Sequence, residues 1–205
     1  LVSIYGDVLP YTILLKGFMF KGERITLLGA SGIWKPQFLN HPISITTSSS
    51  GPYADSFTTE GFLKYKYRGT DPSHRDNKGL RELINLKKPL IYFHSIVKGQ
   101  YLATWPVYIT NDSIKNLEFT VAVDDVNSIA NEFSHVEEPE GYYRRLYLTS
   151  NVKIRLHQRL FRERVLSAYQ NHCALCNLKH RELLDAAHII GDKEDLGEPI
   201  VKNGL

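Results

Sequence analysis

The chain has 205 residues, of which 42% are hydrophobic and 23% charged, and its formal net charge is +3. These values are ordinary for a globular protein and fit one medium domain followed by a small module. They exclude a membrane-spanning helix from the expected structure, because no run of 18 apolar residues occurs. A signal peptide is not expected either, since Asp7 and Pro10 interrupt the apolar N-terminal stretch.

The charges are unevenly distributed along the chain. Residues 124–140 carry several acidic side chains and no Lys or Arg, whereas residues 142–181 carry many basic side chains and Glu163 as their single acid. A basic segment of this kind suits a nucleic-acid backbone, because each neutralised phosphate releases counterions. A solvated helix face is the alternative interpretation.

Residues 20–123 are predicted to form mainly strands, because runs rich in aromatic and β-branched residues alternate with turn sequences. The predicted strands are 24–28, 43–47, 62–67, 90–93, 101–109 and 117–123. One helix interrupts them, with Asp76 as its predicted N-cap and Leu80, Leu83 and Ile84 at helical spacing. A single small helix among many short strands favours a closed or partly closed barrel over a parallel α/β sheet.

The C-terminal part has a different pattern. A short helix is predicted within residues 124–140 and a further strand over 142–148, which places the domain boundary near residue 150. The predicted domains are therefore residues 1–150 and 151–205. A helix is expected over 152–170, followed by a strand over 183–190. Three basic residues lie on one face of that helix and are predicted to contact the DNA backbone: Arg155, Arg159 and Arg162.

Cys173 and Cys176 are the only cysteines, and they form a CxxC pair. Two cysteines at this spacing can place both thiolates on one tetrahedral Zn²⁺, which predicts a structural zinc site. A redox-active pair is the competing interpretation, but such a motif usually lies near a βαβ pattern. A closed zinc site needs two more ligands, either from residues beyond Leu205 or from a nearby histidine such as His172 or His180.

The C-terminal motifs resemble the HNH family of ββα-metal nucleases over about residues 161–205. The resemblance rests on three pieces in order: the cysteine pair, then Asp185-Ala-Ala-His188-Ile-Ile, then Asn203-Gly204-Leu205. It implies that His188 is the general base that activates water and that Asn203 orients this histidine or supports the metal site. It also implies a catalytic Mg²⁺ or similar divalent cation, which would stabilise developing charge on the phosphate.

The chain departs from the family pattern in two ways. Many members have an acid or a histidine as metal ligand directly before the catalytic histidine, where this chain has Ala187. Asp185 lies on the same face of the predicted strand as Ala187, and we therefore name it as a candidate metal ligand. The family's last histidine is also missing from this sequence, so the centre is expected to be catalytically incomplete as given.

The N-terminal part resembles the SRA (YDG) domains over about residues 24–110. These are PUA-like barrels that flip a modified cytosine out of duplex DNA. The resemblance rests on an ordered series of short motifs at residues 50–55, 61–69, 76–80, 89–93 and 99–109. It implies that Tyr53 and Tyr67 stack on the flipped base and that Asp55 accepts a hydrogen bond from the amino group of that base. A slip of the alignment by one residue would put Ser56 in the place of Asp55.

Together these observations predict an α+β chain: a PUA/SRA-like β-barrel, a helical linker and a partial ββα-metal module. The expected function is that of a modification-dependent restriction endonuclease in the cytoplasm of a prokaryote. Its expected partner is double-stranded DNA carrying 5-methyl- or 5-hydroxymethylcytosine, and a homodimer is expected because one HNH centre cuts one strand. Two alternatives remain open: a non-catalytic DNA-binding module with a structural zinc, or a nuclease whose barrel recognises another DNA feature.

Overall fold

The structure is a computed structural model that describes residues 1–47, 56–59, 61–123 and 139–205. The chain divides into two compact units, Leu1–Asn151 and Val152–Leu205, which we call the first unit and the second unit. In the described part of the chain, no helix is long and apolar enough to cross a bilayer.

The described elements of the chain are short strands and four α-helices. The strands are β1 (Val8–Pro10), β2 (Phe18–Phe20), β3 (Glu23–Ile25), β4 (Ile33–Trp34), β5 (Ser44–Thr47), β6 (Ser56–Phe57), β7 (Phe62–Lys66), β8 (Leu90–Val97), β9 (Gln100–Ser113) and β10 (Glu118–Val123). The helices are α1 (Val2–Tyr5), α2 (Tyr11–Lys16), α3 (Arg75–Leu86) and α4 (Pro139–Ala168). Short 3₁₀ turns cover Arg181–Leu183 and Val201–Asn203.

Most strands of the first unit belong to one mixed sheet with the order β4-β5-β8-β9-β10-β7-β6, and β1 pairs with β9. The β5–β8 pair is parallel, whereas the other pairs of this sheet are antiparallel. β2 and β3 form a separate two-stranded sheet. Alternation of buried and half-buried residues in β7, where Leu63 and Tyr65 point inward, shows one face turned to the core.

The sheet curls strongly, and the side chain of Tyr65 shows it. The Tyr65 hydroxyl on β7 lies 2.9 Å from the Gly32 carbonyl oxygen and 3.3 Å from the Thr46 carbonyl oxygen on β5. β7 and β5 are separated by β8, β9 and β10 in the sheet, so only a curved sheet brings them this close. The architecture is therefore mixed α+β with a curled sheet, in keeping with the partly closed barrel expected from the sequence.

The core of the first unit is rich in aromatic side chains. Its largest fully buried residues are Tyr67, Tyr92, Phe93 and Phe119 with Leu14, Ile45, Leu63, Leu80, Leu83, Leu90, Leu102 and Ile109. Leu80 and Leu83 form the buried face of α3, as their spacing predicts. The predicted cap of this helix is wrong: the N-cap is His74, whose Nδ1 accepts the Asp76 backbone N–H at 3.2 Å. Asp76 lies buried in the first turn and pairs with Arg68.

The strand predicted over residues 142–148 is also wrong, because this segment is part of helix α4. The physical reason is the helical burial pattern that directly follows the segment. Thr149, Val152 and Leu156 are buried at i, i+3 and i+7. The helix predicted over 152–170 is the second half of α4, and the short helix predicted in 124–140 lies outside the described residues up to residue 138.

The strand predicted over residues 183–190 forms only in part. Arg181–Leu183 adopts a 3₁₀ turn, and the segment after it pairs at a single isolated bridge between His188 and Gly204. That bridge is the structural centre of the second unit's candidate site.

Candidate functional site

His188 lies on a short antiparallel pairing between the segment before it and the end of the chain. Ala187 and Leu205 exchange both backbone hydrogen bonds at 2.9 Å, and the Ile189 N–H donates to the Asn203 carbonyl oxygen at 3.0 Å. His188 therefore sits directly opposite Gly204. The structure brings the two residues predicted for catalysis, His188 and Asn203, onto one hairpin.

The side chain of Asn203 closes the loop that follows His188. Its Oδ1 accepts the Ile190 N–H at 2.8 Å, and its Nδ2 donates to the carbonyl oxygens of Ile190 at 2.9 Å and Glu198 at 3.2 Å. The residue is only 6% exposed, so these bonds replace water at a buried amide. Asn203 thus fixes the backbone two residues after His188 and contacts the histidine's strand rather than its ring.

The imidazole of His188 stacks against helix α4. Its ring lies 3.9 Å from the Phe161 ring, centroid to centroid, with 14° between the planes. Gly204 makes this approach possible, because a Cβ there would lie 2.2 Å from Val165 Cγ2 and 3.2 Å from the Phe161 ring. Among the described residues, His188 Nε2 is buried and makes no hydrogen bond. The ring is thus held in place while one of its nitrogens is left unsatisfied.

Cys173 and Cys176 lie on a tight turn whose backbone favours a thiolate. The Asn177 N–H donates to the Cys173 carbonyl oxygen at 3.0 Å, and Asn177 adopts a positive φ of 58° that closes the turn. Hydrogen bonds from the backbone N–H groups of Cys176 and Leu175, and then from the Cys176 side chain, hold the pKa of the Cys173 thiol below its ordinary value. A stabilised thiolate is what a Zn²⁺ ligand requires, so this pair fits two positions of a zinc site.

The remaining zinc ligands are not gathered around this pair. In the described ranges there is no group of three or more His, Cys, Asp or Glu side chains arranged to hold a metal ion. His180, one of the two histidines considered as a further ligand, instead lies with its Nδ1 3.1 Å from Glu182 Oε1.

Asp185, the candidate metal ligand, is engaged by a cation. Its Oδ1 lies 3.2 Å from Arg162 Nε and accepts the Ala186 N–H at 3.0 Å. The side chain is 87% exposed, yet a guanidinium at this distance competes with a divalent cation for the same oxygen. The described residues therefore do not by themselves form a Mg²⁺ site, and the role of Asp185 stays a prediction.

The three arginines predicted for the DNA backbone have different environments. Arg162 donates to the carbonyl oxygens of Leu184 at 2.6 Å and Arg181 at 3.3 Å, in addition to its pairing with Asp185. Its donors therefore bind the segment that leads to His188. Arg155 is exposed and Arg159 is partly exposed, so their predicted phosphate contact remains open to test.

Glu163 is a structural residue that sequence reasoning did not single out. It is 6% exposed, pairs with Arg181 and lies 3.1 Å from Arg162 Nη1. Arg181 also donates to Asn171 Oδ1 at 2.9 Å, which joins the end of α4 to the segment after the cysteines. The available signal was its isolation: a single acid inside a long basic segment is a candidate for a buried partner of several arginines.

In the first unit, Tyr67 is the predicted base-binding residue that the structure describes. It is 1% exposed, and its ring stacks on Phe119 with centroids 4.6 Å apart. Its hydroxyl donates to Asp112 and accepts from Arg81 Nη2 at 3.1 Å, while Arg81 Nε also pairs with Asp112. Burial, followed by the hydrogen bond to Asp112, raises the pKa of Tyr67. The hydroxyl is thus committed inside the protein, and the ring is buried against Phe119 as well.

The other two predicted base-binding residues, Tyr53 and Asp55, lie outside the described residues. The strand before them ends at Thr47, whose Oγ1 accepts a hydrogen bond from the Tyr92 hydroxyl at 3.0 Å. Ser56, the alternative to Asp55, begins strand β6. The base-binding roles of all these residues stay predictions.

Comparisons with known proteins give a partial structural similarity. No family model matches the chain, and no curated protein is significantly similar to it. The SUVH5 SRA domain in complex with fully methylated CG DNA is 20% identical, over 44% of this chain and 71% of that one, with a TM-score of 0.34. Its complexes with hemimethylated and fully hydroxymethylated CG DNA give 19% and 21% identity, over 45% of this chain, with TM-scores of 0.36 and 0.33. At these TM-scores the similarity does not assign a fold or a function to this chain.

Replacing Asp112 with Ala is expected to lower the free energy of unfolding of the first unit by roughly 2–3 kcal/mol, because Tyr67 and Arg81 lose a charged hydrogen-bond partner. Urea unfolding followed by tryptophan fluorescence measures this effect, since Trp34 and Trp105, the only tryptophans, lie in the first unit. Lys115→Ala, at an exposed turn, is the control and should change stability by less than about 0.5 kcal/mol. Equal stability of the two variants would contradict the assigned network.

The Cys176→Ser variant, studied without metal, isolates the thiol of Cys173. We expect its alkylation by iodoacetamide to reach half-maximal rate at a lower pH in the folded protein than in urea, because backbone N–H groups stabilise the thiolate only in the fold. The measurement is the rate against pH, and the unfolded variant is its own control. The same midpoint in both states would show that the turn does not activate Cys173.

Proposed function

We propose that this protein is a modification-dependent DNA endonuclease. In this proposal the first unit binds duplex DNA carrying a modified cytosine, and the second unit contributes to an HNH-type centre that hydrolyses a phosphodiester bond. The single observation that supports it best is the hairpin of the second unit. His188 is held by stacking opposite Gly204, and the neighbouring Asn203 clamps the loop that follows His188. Both His188 and Asn203 belong to the motif that resembles the HNH family.

The chemistry assigned to His188 follows from its residue type and setting. A neutral imidazole accepts a proton at neutral pH, so His188 can take the proton of a water molecule as that water attacks phosphorus. The bond from phosphorus to the leaving oxygen then breaks. A bound divalent cation would supply charge stabilisation on the phosphate oxygens. Phe161 keeps the His188 ring in one plane, which lowers the free-energy cost of orienting this general base in each turnover.

Recognition of the modified cytosine is assigned to the first unit. An extruded cytosine needs aromatic faces to replace the lost stacking and a polar group to bind its Watson–Crick edge. Tyr53 and Tyr67 are proposed for the first task and Asp55 for the second. The hydrogen bonds that Asp112 and Arg81 make to the Tyr67 hydroxyl hold its ring in a fixed orientation, but the ring is buried, so stacking on a base requires the side chains that cover it to move aside.

Two further parts of the proposal concern assembly and metal. A single HNH centre cuts one strand, so we propose that two copies act together on duplex DNA. We also propose that the Cys173–Cys176 turn holds two positions of a structural zinc site, which the lowered pKa of Cys173 supports. Arg155 and Arg159 are proposed to contact the DNA backbone.

The proposal predicts Mg²⁺-dependent cleavage of DNA containing 5-methyl- or 5-hydroxymethylcytosine by the full-length natural protein, with little cleavage of the same unmodified sequence. His188→Ala is expected to lower the cleavage rate by roughly 10²- to 10⁴-fold, because the general base is lost. Cleavage is followed on end-labelled duplexes under single-turnover conditions. His157→Ala is the matched control, because His157 is an exposed histidine of α4. This variant should cleave at the wild-type rate.

Each outcome of this experiment separates the proposal from an alternative. Binding of modified DNA with no cleavage by any variant would replace it with a non-catalytic binding module. Cleavage that is equal on modified and unmodified DNA would keep the nuclease and reject the modified-base reader. Equal rates for His188→Ala and the control would reject His188 as the general base.

A further inference from the structure

One ring nitrogen of His188 is buried and unsatisfied. Its Nε2 atom is buried, and among the described residues it is the only such side-chain nitrogen or oxygen that lacks a hydrogen bond. Buried polar groups nearly always have a hydrogen-bond partner, so an unpaired one indicates that a nearby group can approach and bind it. The other ring nitrogen, Nδ1, is not among the buried atoms that lack a partner.

Asp192 is the carboxylate placed to provide that partner. Its Oδ1 lies 3.9 Å from His188 Nε2, and it is the one described acid within ion-pair distance of this ring. A hydrogen bond from N–H to oxygen needs about 2.7–3.2 Å, so a shift of roughly 1 Å would form one. The Asp192 side chain is 68% exposed, which leaves it free to make that shift.

The loop holds Asp192 near the histidine. Asn203 fixes Ile190 on one side of it, and the Glu194 N–H donates to the Gly191 carbonyl oxygen at 2.8 Å on the other. Gly197 packs tightly against Gly191, since a Cβ on Gly197 would lie 1.9 Å from the Gly191 carbonyl oxygen. The backbone around Asp192 is therefore constrained, while its side chain can move.

We propose that Asp192 is a positioning residue for His188. Its carboxylate accepts a hydrogen bond from Nε2–H, which selects the tautomer with an unprotonated Nδ1 and directs that nitrogen to the water. When Nδ1 takes the water's proton, the same carboxylate stabilises the imidazolium that results. The catalytic part of this inference rests on the proposed nuclease function, whereas the pairing of Asp192 with His188 does not.

The pairing is tested by NMR on this chain labelled with ¹⁵N-histidine, with the His188 signals assigned by their loss in His188→Ala. In the wild type, we expect Nε2 to carry the proton and Nδ1 to be unprotonated at pH values where the ring is neutral. Asp192→Ala should shift His188 towards a mixture of tautomers. Asp192→Asn offers an NH2 donor as well as an acceptor oxygen and should therefore also lose the wild-type tautomer preference, and Asp195→Ala, an exposed acid of the same loop, is the control.

Cleavage by the full-length natural protein gives the second readout. Asp192→Ala is expected to lower kcat by roughly 10- to 100-fold with little change in KM, as for other carboxylates that orient a histidine, and the neutral amide of Asp192→Asn should not restore it. An unchanged tautomer in Asp192→Ala would overturn the inference even if His188 proves essential for cleavage. A shifted tautomer in a protein that cuts no DNA would support the pairing and reject the nuclease function.

Discussion

The geometry of the second unit depends on the side-chain amide of Asn203. Its oxygen accepts from the Ile190 N–H and its nitrogen donates to two carbonyl oxygens, so one side chain fixes the backbone after His188 and closes the loop that carries Asp192. An amide both accepts and donates at this position, whereas an aspartate could not donate to Ile190 and an aliphatic residue could do neither. Gly204 beside it lets the hairpin lie against Phe161 and Val165, so the Asn-Gly pair supplies a clamp and a close approach together.

Much of the first unit could be predicted from its sequence. The residues of its longer strands alternate between apolar and polar or form apolar runs, and clear turn sequences separate these strands. The predicted segments around β5, β7, β8, β9 and β10 are strands in the structure. The two- and three-residue strands β1, β2, β4 and β6 were not predicted, since so few residues carry no period. The segment over 142–148 was predicted as a strand, but it belongs to α4, whose helical burial pattern runs from Thr149 to Leu156.

Site residues divide in the same way. His188, Asn203 and the cysteine pair stand in short local motifs, and the structure places His188 and Asn203 on one hairpin. Phe161 and Asp192 could not be recognised, because Phe161 meets His188 only in the tertiary fold and Asp192 lies in a loop without a pattern. Helical spacing also could not show that Arg162 donates hydrogen bonds to the carbonyl oxygens of Leu184 and Arg181, whereas Arg155 remains exposed. Spacing gives the face of a helix, and tertiary contacts decide which of its charges remain available.

Amide hydrogen exchange in Asn203→Ala tests whether Asn203 holds the loop beside His188. Exchange of the Ile190 N–H is expected to become faster by roughly tenfold or more, because its acceptor is removed, while amides in the middle of α4 keep their protection. Unchanged exchange at Ile190 in this variant would show that Asn203 does not hold the loop.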